Sequence, residues 1–292
     1  MNIKKISQKL NAYERLMRLD KPIGILLLLM PTLWAIVIAF HGKPNWGVVI
    51  LFITGTVLMR SAGCVMNDIA DSKLDGEVER TKNRPLVMGE VSKKEALLLA
   101  GSLSVIAFGL VCFFNRLTIQ LSVIALLVAA SYPLSKRFIS IPQAYLGIAF
   151  GFGILMAFSA ILGYIPFIAW ILWLANVFWA IAYDTEYAMV DRSDDLKVGI
   201  KSSAITFGRF DVLAIMICYA LALCLLAWAG YQLHLSYIYY LSLMGAAAIA
   251  TYHYFLIRTR EKNKCFKAFL GNSWFGFTIF AGLCANYWMK AY

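Results

Sequence analysis

The sequence predicts an all-α integral membrane protein of about nine spans, organised as one domain over residues 1–292 with a cytoplasmic N-terminus. Three observations predict it. Of the 292 residues, 61% are hydrophobic and only 15% charged, against roughly half and a quarter in soluble domains, and the mean hydropathy is +0.71. The apolar residues lie in long unbroken runs, each near the ~20 residues a helix needs to cross a bilayer, not in the alternation of an outer-membrane barrel. The connections alternate between long basic ones and short bland ones, which is how membrane orientation is set.

The runs fall at about 22–40, 46–66, 95–114, 117–132, 142–163, 165–183, 211–229, 236–257 and 268–288. Pro22 sits at the entry of the first, where a missing N–H is tolerated. That run ends in Phe40-His41-Gly42 with no small-residue cleavage pattern and eight more runs follow, so it is read as a span, not a signal peptide. Pro85 marks a turn in the long connection after the second run. Ser92 with Glu95 makes a capping box that opens the third. The even-numbered runs end toward the side that carries the basic connections.

The net charge is +11, and its placement excludes nucleic acid as the partner. Twenty-three of the 27 basic residues lie on one side of the predicted bundle, so the basicity is topological and the partner is the lipid bilayer. Arg60 is the exception, inside the second run. The six cysteines have no metal or disulfide spacing and read as small apolar side chains. The three histidines have no ligand partner at i+3 or i+4, so no histidine metal site is expected.

The acids carry the functional signal. Twelve of the 16 fall in two windows, each starting where an apolar run ends on the basic side. The first reads Asn67-Asp68-Ile69-Ala70-Asp71-Ser72-Lys73-Leu74-Asp75. Asn67, Asp71 and Asp75 are spaced i, i+4, i+8, one face of a helix, and Arg60 lies near that face. The second holds Asp184, Glu186, Asp191, Asp194 and Asp195, with Asp184, Tyr187, Asp191 and Asp195 on one face. Stacked like charges repel and call for a cation. Lysine and arginine salt bridges would serve, and so would Mg²⁺, which prefers one or two carboxylates completed by waters and substrate phosphate.

Each window is trailed by cations: Arg80, Lys82 and Arg84 after the first, Lys197 and Lys201 after the second. The match outlines a weak internal duplication of two aspartate-motif halves. Together the windows point to a pair of Mg²⁺ ions clamping a diphosphate, with lysine and arginine on its remaining oxygens and an apolar bundle for a hydrocarbon tail. Asp68, Glu77 and Glu79 also have a bland reading as solvated or salt-bridged groups, and Glu186, Asp194 and Asp211 are set aside from catalysis.

Asn-Asp-x-x-Asp-x-x-x-Asp after the second span, with a second aspartate motif after the sixth, resembles the intramembrane aromatic prenyltransferases. The stretches 17–24 (Met-Arg-Leu-Asp-Lys-Pro-Ile-Gly), 80–86 (Arg-Thr-Lys-Asn-Arg-Pro-Leu) and 183–202 resemble the branch of that family acting on 4-hydroxybenzoate in bacterial ubiquinone synthesis. The resemblance covers essentially the whole chain. It implies a nine-helix bundle in the bacterial inner membrane, with a central cavity open sideways to lipid and an active site facing the cytoplasm. It also implies polyprenyl diphosphate and 4-hydroxybenzoate as substrates and Mg²⁺ as cofactor.

Carried over by position, Asp71, Asp75, Asp191 and Asp195 would hold metal, with Asn67 and Asp68 in support. Tyr132, Lys136 and Arg137 resemble a group near the diphosphate, Lys201 joins them, and Arg18 and Arg60 stand where cations meet the substrates. Asp184 and Tyr187 are even candidates for substrate contact or for closing a helix end. Arg137 or Arg60 is expected to hold the acceptor carboxylate. Ser72 stands beside Asp71 where a basic residue is expected. Other acceptors (a naphthoate, homogentisate, a haem) stay open on the residues alone. So does a secondary transporter, although acids gathered at one face fit transport poorly.

Overall fold

The computed structural model describes residues 3–72, 75–77 and 81–290. Lys73, Glu79 and Arg80 therefore lie outside the described residues. Every regular element among the described residues is helical: α1 (Ile3–Met17), α2 (Ile23–Ala39), α3 (Trp46–Asp71), α4 (Lys93–Val111), α5 (Arg116–Phe138), α6 (Pro142–Leu162), α7 (Phe167–Val198), α8 (Ser203–Phe207), α9 (Asp211–Gln232), α10 (Tyr237–Ile257) and α11 (Lys262–Lys290). A 3₁₀ turn, Asp75–Glu77, follows α3.

Eight stretches are long and apolar enough to cross a membrane, and α2, at 17 residues, is a shorter apolar helix. Seventeen residues is the lower limit for a span. The expected boundaries hold at the outer ends and shift at the motif ends. Helix α3 runs on to Asp71, α5 to Phe138 and α7 to Val198, so the second aspartate window lies wholly on a span, while in the first Asn67, Asp68 and Asp71 continue the span and Asp75, expected on the same helical face, falls in the 3₁₀ turn. At 32 residues, α7 is about 48 Å long, well beyond a ~30 Å hydrocarbon core.

Local signals set these ends. The Asn45 side chain accepts from the Gly47 and Val48 amides at the start of α3. The Ser92–Glu95 capping box is formed at the start of α4. Asn115 accepts from Thr118 at the start of α5. Helix α7 stops at Gly199, whose φ of 72° is left-handed and costs a glycine little.

Helix α1 has no counterpart in the sequence reading. Its Ala12 and Leu16 pack with Val65 of α3 and with Val91, Ala96 and Ala100 around α4 in a small core of their own. It ends in a Schellman motif: Leu19 N–H donates to Glu14 O at 3.1 Å and Arg18 N–H to Arg15 O at 3.3 Å. Arg18 takes the left-handed position with φ of 59°, which normally favours glycine.

The main core joins the other spans. Helices α2, α6, α7 and α11 meet centrally, with α9 and α10 on one flank and α3, α4 and α5 on the other. Trp34 of α2 donates to the Gly276 carbonyl of α11 at 3.0 Å, which ties the first and last spans together. Trp34, Trp179 and Phe275 stack beside that bond, with ring centroids 5.4 Å apart in both pairs.

Behind α7 lies a buried polar cluster. Glu186, fully buried, accepts from the Tyr219 hydroxyl at 3.0 Å and from Asn272 Nδ2 at 2.8 Å. The Asn272 carbonyl oxygen accepts from Trp179 Nε1 at 2.8 Å and lies 2.8 Å from the Tyr219 hydroxyl. His253 Nδ1 lies 3.0 Å from the same hydroxyl. These groups come from α7, α9, α10 and α11 and fix the rotation of α7 about its axis.

Candidate active site

The polar and apolar halves of the site share one cavity of about 1310 Å³, lined by α1 through α7 and α11. Along α3 it reaches from Asp68 to Leu51 and Phe52, about 24 Å at 1.5 Å per residue. One end is charged: Arg18, Arg60, Asn67, Asp68, Arg84, Lys136, Asp184, Tyr187 and Lys262 line it. The other end is apolar, between α3, α4 and α5, with Phe52, Ala107, Phe108, Ala125 and Ala129 on its walls. Such a space accepts an anion at one end and a hydrocarbon chain at the other.

The first aspartate motif is a network of ion pairs and hydrogen bonds. Asp68, 1% exposed, accepts from Arg18 Nη2 through both oxygens at 2.9 Å, and its Oδ1 lies 2.9 Å from Arg84 Nη1. Arg84 Nη1 also meets Asp75 Oδ2 at 2.6 Å, so one arginine links the 3₁₀ turn to α3. Asp75 is itself buried. That burial pushes its carboxyl above the ordinary range, while Arg84 pulls it back. Thr81 donates to the Asp75 backbone carbonyl at 2.7 Å and steadies the same turn.

Asp71 stands apart from those arginines. Its Oδ2 accepts from Asn67 Nδ2 at 3.1 Å, the i, i+4 pairing expected from the motif, and it faces Lys136 Nζ at a looser 3.6 Å. Lys136 lies over the Tyr132 ring, 5.6 Å from its centroid, as their four-residue spacing on α5 requires. The Lys136 carbonyl accepts from the Lys201 amide at 3.0 Å. The Lys201 ammonium donates to the Phe138 carbonyl at 3.0 Å. The segment after the second motif is thus pinned to the end of α5.

On α7, Asp184 and Tyr187 line the cavity, and Asp191, two turns on from Asp184, is buried. Asp195 follows one turn later and is half-buried. Asp71, Asp75, Asp191 and Asp195 do not themselves line the cavity; they stand just past its charged end on α3, the following turn and α7. Arg137 is exposed and off the cavity wall, and Lys201 is exposed.

Arg60 sits deepest. Its Nη1 donates to Cys64 Sγ at 3.1 Å, its guanidinium lies 5.6 Å from the Phe150 ring centroid, and its buried Nε has no hydrogen-bond partner. A planar cation in an apolar wall with an unused donor is suited to a planar anion.

The sequence reading placed Arg84 only as a trailing cation and gave no role to Lys262, Cys64 or Phe150. Arg84 was within reach, because it lies in one of the stretches that carry the resemblance. Lys262 carries no sequence signal; only the packing of α11 against α2 brings it to the cavity mouth.

No group of three or more His, Cys, Asp or Glu among the described residues is arranged as a metal cluster. The donors present fit Mg²⁺ nonetheless. They are carboxylate oxygens alone, in small sets from two helices, and Mg²⁺ takes one or two carboxylates and fills its octahedron with water and phosphate.

The UbiA prenyltransferase family model matches residues 28–280. A 4-hydroxybenzoate octaprenyltransferase of Methylobacillus flagellatus is 62% identical over 98% of this chain and 97% of its own length. The enzyme of the same name from Thiobacillus denitrificans is 58% identical, covering 98% of both. Among solved structures, the apo form of a UbiA homologue from Aeropyrum pernix K1 superposes with a TM-score of 0.78 at 26% identity, over 88% of this chain and 97% of that one. A homologue from Archaeoglobus fulgidus bound to GPP and Mg²⁺ shares the fold, with a TM-score of 0.68 at 18% identity over 93% and 99% of the two chains.

Proposed function

Since the chain belongs to the UbiA prenyltransferase family, we propose that it moves a polyprenyl group from polyprenyl diphosphate to the ring carbon ortho to the hydroxyl of 4-hydroxybenzoate. One observation carries the reading: a single cavity about 24 Å long beside α3, cationic and aspartate-rimmed at one end and apolar beyond Arg60. The relatives at about 60% identity support the acceptor.

The allylic C–O bond breaks and diphosphate departs with its electron pair. The ring carbon forms the new C–C bond, and a ring proton leaves to restore aromaticity. Arg18, Arg84 and Lys136 lie where they can take the negative charge that builds on the leaving diphosphate. Arg137 and Lys201 lie at the outer edge of the same end and add positive charge there. Arg60, rather than exposed Arg137, holds the acceptor carboxylate. Tyr132 places its ring under Lys136, and Tyr187 closes the α7 side.

Asp71 and Asp75 on one side, and Asp191 and Asp195 on the other, are the residues that would hold Mg²⁺, with Asn67 orienting Asp71. Bound there, Mg²⁺ neutralises diphosphate oxygens and makes diphosphate a better leaving group. We place the protein in the bacterial inner membrane with the charged end of the cavity facing the cytoplasm. The basic connections on that side support this orientation.

The test is transfer of label from 4-hydroxybenzoate into a lipid-soluble product by detergent-solubilised protein given a polyprenyl diphosphate, with Mg²⁺ and then with EDTA. Metal-dependent product is the expected result. Diphosphate release without product would mean that the acceptor is wrong. If folded protein neither forms product nor releases diphosphate, the assignment is overturned.

A further inference from the structure

The sequence stretch ending at Gly24 has a feature that the charge network does not use. Gly24 is the second residue of α2, and its backbone φ is not in the left-handed region, so the chain does not need glycine for its conformation. Alanine would suit a helix better. What glycine supplies is space. A Cβ built there would lie 2.5 Å from Arg60 Nη2, 2.6 Å from Nε and 2.9 Å from Cζ. The Nε–Nη2 edge of the guanidinium therefore rests against the bare α-carbon of Gly24, with the Phe150 ring centroid 5.6 Å from the guanidinium and Cys64 Sγ 3.1 Å from Nη1.

We infer that Gly24 is a positioning residue for the aromatic acceptor. Its missing side chain is a cradle that holds the Arg60 guanidinium, and with it the acceptor carboxylate, in register with the allylic carbon. The inference rests on the proposed role of Arg60. It goes beyond that role by assigning acceptor recognition to a residue with no functional group.

The geometry separates this role from a packing role. The atoms that a new methyl would meet belong to the far end of a flexible side chain, which can swing away. At Gly147 the same methyl would lie 2.8 Å from the Val177 α-carbon and 3.0 Å from its carbonyl oxygen; there helices would have to part. Gly24→Ala is thus expected to fold, with the guanidinium displaced.

The experiment uses the full chain in detergent with polyprenyl diphosphate, comparing 4-hydroxybenzoate with 4-hydroxybenzamide, which lacks the anion. Gly24→Ala is expected to raise KM for 4-hydroxybenzoate by about tenfold to a hundredfold, the worth of a charge-assisted hydrogen bond. KM for polyprenyl diphosphate should stay within about twofold, and the preference for the acid over the amide should fall by the same factor as the acceptor affinity. Gly109→Ala, whose methyl would meet nothing within 4 Å, should match wild type.

In an Arg60→Met background, Gly24→Ala should cost almost nothing more, because the two changes remove one interaction. An unchanged KM for 4-hydroxybenzoate, or both KM values rising together, would overturn the inference. Misfolding of Gly24→Ala that persists in the Arg60→Met background would overturn it as well, since the glycine would then be packing. If wild type itself transfers no label, it is the proposed activity that fails, not the cradle.

Discussion

Replacing Arg60 with methionine keeps an unbranched apolar stem of similar reach and deletes the guanidinium. The structural cost is small. Arg60 donates a hydrogen bond to a thiol, Cys64 Sγ, at 3.1 Å, and its buried Nε donates to nothing. Removing an unsatisfied buried donor returns about 1–3 kcal/mol, while losing the contact with the Phe150 ring forfeits about 0.5–2 kcal/mol. The two nearly cancel, so the thermal midpoint should stay within about 4 °C of wild type. The functional cost is large. A forked pair of charge-assisted hydrogen bonds to the acceptor carboxylate is worth about 3 kcal/mol or more, or about a hundredfold in kcat/KM. The assay is label transfer from 4-hydroxybenzoate at saturating polyprenyl diphosphate, beside a melting curve in the same detergent without substrate. Loss of stability in step with activity would refute the reasoning, and so would an unchanged kcat/KM in folded protein.

Four further outcomes are expected. Asp71→Asn and Asp191→Asn should abolish turnover while leaving folded protein in the membrane; a near-normal rate in either at saturating Mg²⁺ would remove it from the metal set. EDTA should stop product formation and excess Mg²⁺ should restore it, as the same label assay reads. Arg84→Ala frees Asp75 and half of the Asp68 pairing, so KM for polyprenyl diphosphate should rise by about tenfold or more, with KM for 4-hydroxybenzoate unmoved. Asn272→Leu leaves Trp179, Tyr219 and Glu186 each short of a buried partner. It should cost about 3 kcal/mol or more, read as a lower melting midpoint with both KM values unchanged at permissive temperature.

The spans were legible because hydropathy alone decides what sits in lipid, and the aspartate faces were legible as far as the helices run: α3 stops at Asp71, so Asp75, expected on the same helical face, sits in a separate 3₁₀ turn. Asn67 and Asp71 do pair at i, i+4, and Arg60, the one charge inside a run, does line the cavity. Helix α1 escaped notice because its apolar positions are few: it docks through Ala12 and Leu16 on a satellite core, too short a pattern to stand out beside 20-residue runs. Glu186 shows a different limit. Two residues from Asp184 in a run of acids, it belongs chemically to the far side of α7, bonded to Tyr219 and Asn272. Only the positions of α9 and α11 reveal that. Arg84 was visible as a cation but not as a bridge, since its partners lie nine and sixteen residues upstream.

The pairing of Asp68 with Arg18 and Arg84 gives the site a competitor of its own. Before an anion arrives, the two arginines are already occupied by an internal carboxylate, so binding is an exchange of partners and not a capture by free charge. The net gain from each arginine is then the difference between two good ion pairs, which keeps affinity modest and lets spent diphosphate leave. Selectivity follows too. A singly charged anion offers the arginines no more than Asp68 already does, whereas a diphosphate brings enough charge to satisfy both at once.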